Sequence, residues 1–161
     1  MLYPARRWPH KNHNRLFEAF AEVRRKRPDL ELVLTGDNAG EDVPDGVRAL
    51  GRVSLEELSR LYRSAGATVF PSMYEGFGAP VLEAMASGCP VATADVAALR
   101  EVAGDAAVLF DPLDPADIAR SILRAIDEVD ALAPKGVEWA ARFTWEASAR
   151  SHEAVYQELL V

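Results

Sequence analysis

The 161-residue sequence has a single cysteine, no excess of positive charge and no long apolar run. Cys89 has no partner within the chain, which excludes an intrachain disulfide, and no Cys/His spacing of a zinc site accompanies it. A reducing, cytoplasmic setting fits that usage. With 18 Lys and Arg against 25 Asp and Glu, a formal net charge of -7, the chain lacks the electrostatic footprint of a general nucleic-acid binder, and no nucleic-acid partner is expected. No apolar stretch approaches the roughly 20 residues of a membrane-spanning helix, and Met1-Leu2-Tyr3-Pro4 has no signal-peptide core, so a soluble, untargeted chain is expected. Internal repeats, low-complexity tracts and long Gly/Ser linkers are also missing. Residues 1–161 therefore read as one domain with one core.

What is present is an alternation of short apolar runs with helical periodicity. Leu30–Leu34, Ala67–Phe70, Val91–Thr93 and Ala106–Phe110 read as strands, with a stub at Leu2-Tyr3 and a further short strand at Val47–Leu50. Between and after them Leu16, Phe20 and Val23, then Leu55, Leu58, Leu61 and Tyr62, then Ile118, Ile122, Ile126 and Val129 mark helix faces. Strands apolar almost throughout, separated by helix-length segments, predict an α/β fold: a doubly wound, Rossmann-like, mostly parallel sheet of about six strands flanked by helices. Beyond Phe110 a helical tail is expected, with Pro115 near one helix start, Pro134 preceding a second helix and Thr144 capping a third that runs to Leu160.

In such a sheet, ligands bind outside the carboxyl ends of the strands, where the strand order reverses. The loops of interest are Pro4–Asn12, Gly36–Asp45, Gly51–Ser54, Pro71–Gly78 and Ala94–Ala97. Charge singles out the first. Residues 1–27 hold eight Lys and Arg against two Glu, a segment suited to a phosphate ligand, an anionic membrane surface or the acidic remainder of the chain. The Arg24–Arg27 cluster itself reads as a solvated helix end that suits the negative C-terminal pole.

The segment Pro71–Met85 is a strand-to-loop-to-helix unit carrying Glu75 and Glu83. Their eight-residue separation is not diagnostic, since Glu138 and Glu146 repeat it. What lies between is more informative. Gly76 and Gly78 permit positive φ and close approach of a ligand, and Pro80 suits a first helical turn. The helix then opens with unpaired N–H groups facing the loop, an arrangement that holds pyrophosphate. Taken singly, the glycines equally suit a plain turn and Glu83 equally suits a helix N-terminus.

The run from Glu75 through Gly76-Phe77-Gly78-Ala79-Pro80-Val81-Leu82 to Glu83 and on to Val91 resembles the E-x7-E signature of the retaining glycosyltransferases of family 4, whose two-domain architecture is called GT-B. The resemblance extends in order over residues 3 to about 158. It includes Ala5–Asn12 with the helix around Leu16–Phe20, Leu32–Gly36, Glu101–Ala107 and Phe143–Glu146. Two departures stand out: Ala5 occupies a position where the family often has glycine, and Arg7 adjoins Arg6, so Arg6 is assigned by its five-residue separation from Lys11. The match covers only the C-terminal, donor-binding half, so a separate N-terminal acceptor-binding domain is an expected partner.

The resemblance implies a nucleoside diphosphate sugar as donor, GDP- or UDP-linked with a mannose-type donor favoured, and a glycan or glycolipid acceptor. By it, Arg6 and Lys11 clamp the diphosphate with the backbone of Ala79, Pro80, Val81 and Leu82, which calls for no essential metal and no cofactor. Glu75 holds hydroxyls of the donor sugar, and Glu83 accepts from the ribose. Gly76, Phe77 and Gly78 offer N–H groups to the sugar, Gly36 lets the backbone pass close to the donor, and Arg52 and Val53 line the base. The implied location is cytoplasmic, with peripheral membrane contact in the full enzyme and the isolated chain inactive. Two other readings accompany this one: a stand-alone nucleotide or nucleotide-sugar binding module that completes a partner, and an epimerase or phosphorylase of the same architecture, which the Gly-Phe-Gly segment fits poorly. His10 and His13 are too few for a metal site, although His10 lies near the expected phosphates. Cys89 reads as buried packing, and Trp8, Trp139 and Trp145 as packing against helices, with Trp8 also placed to reach the cleft.

Overall fold

The computed structural model describes residues 1–37 and 42–159. Among the described residues six short strands form one parallel sheet: β1 (Leu2–Pro4), β2 (Leu32–Thr35), β3 (Val47–Ala49), β4 (Thr68–Phe70), β5 (Val91–Ala94) and β6 (Val108–Phe110). Their spatial order is β3-β2-β1-β4-β5-β6, so the chain winds outward from β1 in one direction, returns, and winds outward from β4 in the other. Each parallel step requires a crossover connection, and a doubly wound sheet carries its helices on both faces. Accordingly α1 (His13–Lys26) packs against α5 (Pro115–Asp127), while α3 (Ala79–Ala86) packs against α2 (Leu55–Ser64), α4 (Ala97–Ala103) and α6 (Val129–Ala140). Central strands are buried on both faces; Val91, Ala92, Thr93 and Ala94 are all inaccessible. That double burial is why they read as continuous apolar runs.

Strand limits shift where a turn captures an N–H. Leu30 N–H donates to Arg27 C=O and Ala106 N–H to Ala103 C=O, so β2 and β6 begin two residues later than the apolar runs. Helix starts follow their side chains. Ser54 accepts from Glu57 N–H at 3.1 Å, Asp114 from Ala116 N–H at 2.9 Å with Pro115 in the first turn, and Thr144 from Ala147 N–H at 3.1 Å.

Three expectations need correction. Pro134 lies inside α6 rather than before a helix. The missing N–H costs one helical bond, but Leu132, Gly136 and Ala140 are buried, and a Cβ on Gly136 would lie 3.3 Å from Met85 Cγ, so close packing on α3 overrides the local penalty. Val129 opens α6 and is exposed, so it does not extend the buried stripe of α5. Leu55 is 87% exposed at the first position of α2, ahead of the face formed by Leu58, Leu61 and Tyr62. The helix α4 was not anticipated at all. The tail helix α7 (Trp145–Leu159) has no buried residue, and Leu160, its expected end, lies outside the described residues. Trp139 packs as expected, donating to Val102 C=O at 2.7 Å, but Trp145 is 89% exposed at the first position of α7 and does not pack into the core.

Cys89 is buried beside Thr68, 3.0 Å from its hydroxyl, and burial pushes its thiol pKa up, which disfavours the nucleophilic thiolate. In the basic helix end, Arg25 and Lys26 pair with Glu22, and Arg27 with Asp29 and Asp127.

Candidate active site

Strand order reverses between β1 and β4, and the loops leaving these two strands are stitched together by bonds of four kinds. Met73 N–H donates to His10 C=O at 2.8 Å. The buried Tyr3 phenol donates to Lys11 C=O at 2.7 Å and lies 3.5 Å from the Ser72 hydroxyl. Burial raises that phenol's pKa, so it remains a donor. The buried amide of Asn12, whose backbone sits at φ 61, donates to Pro71 C=O at 3.0 Å and to Pro112 C=O at 2.7 Å, binding the loops after β1, β4 and β6. Finally, Lys11 Nζ meets Glu75 Oε1 at 2.5 Å, with both side chains about four-fifths buried. At that burial the pair is less screened than an exposed one.

A second group gathers beside it. Arg6, Gly36, Arg52 and Val53 line one cavity of about 360 Å³ with Thr35, Asp37 and Leu58. Gly36 sits at φ 121, and a Cβ there would lie 2.8 Å from Ala5 C=O, so the ends of β1 and β2 come together only because this residue has no side chain. Asp37 lies between the two arginines, 3.2 Å from Arg6 Nε and hydrogen-bonded to Arg52 Nε. The Arg52 hydrogen bond, with the Arg6 charge adding to it, holds the Asp37 carboxyl below its ordinary pKa. Arg6 also stacks 5.6 Å from the exposed Trp8 ring, whereas Arg7 leans on Phe17 of α1. The two adjacent arginines thus serve different surroundings, and it is Arg6 that faces the cavity. Residues 38–41 of the Gly36–Asp45 loop lie outside the described residues.

On the β4 side Gly76 is exposed with a negative or extended φ, whereas Gly78 takes φ 103 as the N-cap of α3. The expected positive φ therefore applies to Gly78 alone. A Cβ on Gly78 would also meet Leu99 Cδ2 at 2.7 Å, while one on Gly76 would meet nothing within 4 Å. Gly78→Ala should therefore cost about 1–2 kcal/mol and lower the melting temperature by about 3–6 °C. Gly76→Ala should leave it within about 2 °C, a contrast that thermal unfolding checks directly.

Phe77 is half-exposed, its ring 6.5 Å from Phe143, which in turn lies 5.9 Å from Trp139. At the start of α3, Ala79 is exposed, Pro80 and Leu82 are half-buried, and Val81 is buried with its N–H donated to Gly78 C=O at 2.9 Å. Glu83 is exposed on the next turn, and Tyr62 of α2 donates its hydroxyl to Glu83 Oε2 at 3.2 Å.

His13 is buried between the rings of Tyr3 at 4.9 Å and Phe17 at 6.2 Å, and the His10 ring lies tilted against Trp8 at 5.6 Å. Among the described residues no three His, Cys, Asp or Glu side chains are grouped to hold a metal ion, and no helix is long and apolar enough to cross a membrane.

Three contributors escaped the sequence reading. Asn12 precedes a helix and so looks like a helix cap, yet its side chain caps nothing and reaches two distant carbonyls. Tyr62 looks like one more apolar position, although a buried phenol needs a partner. Asp37 carries no local signal.

The arrangement provides two cationic side chains, Arg6 and Lys11, each now engaged by a carboxylate, around the point where strand order reverses. Such a site suits an anion with a polyhydroxyl group attached. Comparison with known proteins is consistent with this. The family model described as Glycosyl transferases group 1 matches residues 1–134. The chain is 37% identical over 163 residues to the O-antigen chain mannosyltransferase B of Escherichia coli, covering 90% of this chain and 42% of that protein. It is 34% identical over 172 residues to the D-inositol 3-phosphate glycosyltransferase of Segniliparus rotundus, covering 94% and 38%. Among solved structures, sucrose-phosphate synthase from Thermosynechococcus elongatus superposes with a TM-score of 0.80 at 27% identity, covering 99% of this chain and 45% of that one. The chain spans less than half the length of each of these proteins.

Proposed function

Because the chain belongs to the Glycosyl transferases group 1 family, we propose that it forms the donor-binding half of a retaining glycosyltransferase, which moves a hexose from a nucleoside diphosphate sugar to a glycan or glycolipid acceptor. The observation that carries this reading is the meeting of Lys11 and Glu75 across the β1/β4 switch point. It sets a cation for phosphate beside a carboxylate for sugar hydroxyls. A GDP-linked mannosyl donor is favoured, in keeping with a relative named as a mannosyltransferase. The acceptor-binding domain lies in sequence beyond these 161 residues, the complete protein works in the cytoplasm at the membrane face, and the isolated chain binds donor without transferring it.

Transfer breaks the bond between the anomeric carbon and the β-phosphate oxygen. It forms one from that carbon to an acceptor oxygen on the same face, and the acceptor proton passes to the departing phosphate. Charge therefore builds on the diphosphate, where Arg6 supplies a fork of donors and Lys11 a point charge, a combination that neutralises two phosphates without a metal. Glu75 faces the sugar as positive charge grows on its ring. Gly36, Arg52 and Val53 receive the nucleoside, Glu83 its ribose, and the backbone from Gly76 to Leu82 borders the sugar and phosphates.

Calorimetric titration of the chain with GDP, UDP, ADP and dTDP in EDTA tests this. One diphosphate should bind, and Arg6→Ala, Lys11→Ala and Glu83→Ala should each weaken it. If none of the four binds at millimolar concentration, the reading fails for this chain.

A further inference from the structure

Glu83 stands on a solvent-exposed turn of α3, where a glutamate side chain ordinarily samples several rotamers. Here one of its oxygens is held from below. The Tyr62 hydroxyl, on a side chain only 2% exposed, donates to Oε2 at 3.2 Å, and the Pro80 carbonyl lies 3.5 Å from the same hydroxyl. Tyr62 is not a chance neighbour of the site. Leu58, one turn earlier on the same face of α2, lines the cavity with Arg6, Gly36, Arg52 and Val53, and the helix is pinned immediately after Val53 by the Ser54–Glu57 cap. The helix that borders the nucleoside cavity thus also grips the carboxylate.

We propose that Tyr62 is a positioning residue that makes the site selective for ribonucleotides: by occupying Oε2 of Glu83, it turns Oε1 toward the 2′- and 3′-hydroxyls of the bound nucleoside. The inference rests on the donor-site reading, which gives Glu83 the ribose. A carboxylate has about four acceptor positions on two oxygens, so one donated bond fixes its rotation and leaves the other oxygen free. A ribose diol then meets an acceptor already aimed, and no side-chain freedom is lost when it binds. Burial and the neighbouring Glu83 charge raise the phenol's pKa, so Tyr62 remains a donor throughout the neutral range.

If the hydroxyl served only to satisfy a buried polar group, its loss would change stability and leave nucleotide discrimination untouched. That difference provides the test. The wild-type chain and Tyr62→Phe are titrated with the ribonucleoside diphosphate that binds best and with its 2′,3′-dideoxy analogue, and the same pair is measured in a Glu83→Ala background. Wild type should prefer the ribonucleotide about 30-fold, and Tyr62→Phe should reduce the preference to about 5-fold by weakening the ribonucleotide alone. Glu83→Ala should abolish the preference, and adding Tyr62→Phe to it should change nothing further. Melting temperature should move by no more than about 4 °C in Tyr62→Phe, which keeps the ring. Full preference retained in Tyr62→Phe would overturn the role of Tyr62 and leave the donor site standing. A wild-type chain that binds the diol and its dideoxy analogue equally would overturn the ribose contact of Glu83 and with it the role of Tyr62, whereas one that binds neither would overturn the donor-site reading itself.

Discussion

Lys11→Ala should lower affinity for a nucleoside diphosphate about 100-fold, whereas Glu75→Gln should raise affinity for the same diphosphate several-fold while abolishing sugar transfer by the complete protein. The opposite signs follow from the bond between the two side chains. A charge-assisted hydrogen bond to phosphate in a partly buried site is worth about 1.5–3 kcal/mol, and about 2.7 kcal/mol corresponds to two decades in affinity. That ammonium is engaged by Glu75 at 2.5 Å, so a phosphate must compete with a carboxylate for it. Neutralising Glu75 removes the competitor and favours the bare diphosphate. Under the proposed function a complete donor would also present sugar hydroxyls to Glu75, and those contacts would weaken with loss of the charge. Calorimetry with diphosphate and with nucleotide sugar, side by side, separates the two roles. If Glu75→Gln weakened bare diphosphate as strongly as Lys11→Ala, the pair would be a loop brace and not the junction of phosphate and sugar subsites.

Asn12→Ala should be the most damaging conservative-sized substitution in the site, lowering stability by about 4 kcal/mol and the melting temperature by about 8–15 °C. Its amide donates to Pro71 and Pro112 carbonyls that come from different loops and are buried with it. Truncation leaves both without that donor, at about 1–3 kcal/mol each. Alanine also tolerates φ 61 less well than asparagine, adding about 1 kcal/mol. Asn12→Gly relieves only the backbone part, so it should recover a small fraction of the loss in thermal unfolding. Recovery to the wild-type melting temperature in Asn12→Gly would show that backbone conformation, not the amide bridge, is what this position supplies.

The legible and illegible parts of this structure divide along a physical line. The central strands were readable because double burial makes them nearly continuous apolar runs, as at Val91–Ala94, whereas edge strand β3 carries the exposed Arg48, and periodicity exposed the faces of α1 and α5. The same apolar runs misplaced the starts of β2 and β6, because a turn bond such as Leu30 N–H to Arg27 C=O leaves no mark in hydrophobicity. Helix α4 is short, and Leu99, Val102 and Ala103 give too few turns for a period to emerge. Pro134 stays inside α6 because tertiary packing of Gly136 on Met85 outweighs the local preference of proline for a helix start. At the site, residues joined along the chain were visible as a group, from Glu75 to Glu83. Lys11 meeting Glu75, and Tyr62 meeting Glu83, are separated by 64 and 21 positions, and only the winding of the sheet brings them together. Family resemblance supplied expected roles for Lys11, Glu75 and Glu83, but it did not single out Asn12, Asp37 or Tyr62.

The switch point also has a mechanical meaning. Each half of the sheet is joined by ladders of three register pairs, but β1 and β4 share only Leu2 opposite Thr68. The two halves of the sheet therefore abut along a seam with little ladder of its own, and the stitches at His10, Lys11 and Asn12 lie across it. Its closure joins segments some 66 residues apart, a high-contact-order event that comes late when locally paired strands form first. A nucleotide lodged between the β1 and β4 loops would act as one more stitch, and by mass action it resists the opening of the seam in proportion to the logarithm of its concentration above its dissociation constant. The donor would then serve as part of the joint that keeps the two half-sheets in register.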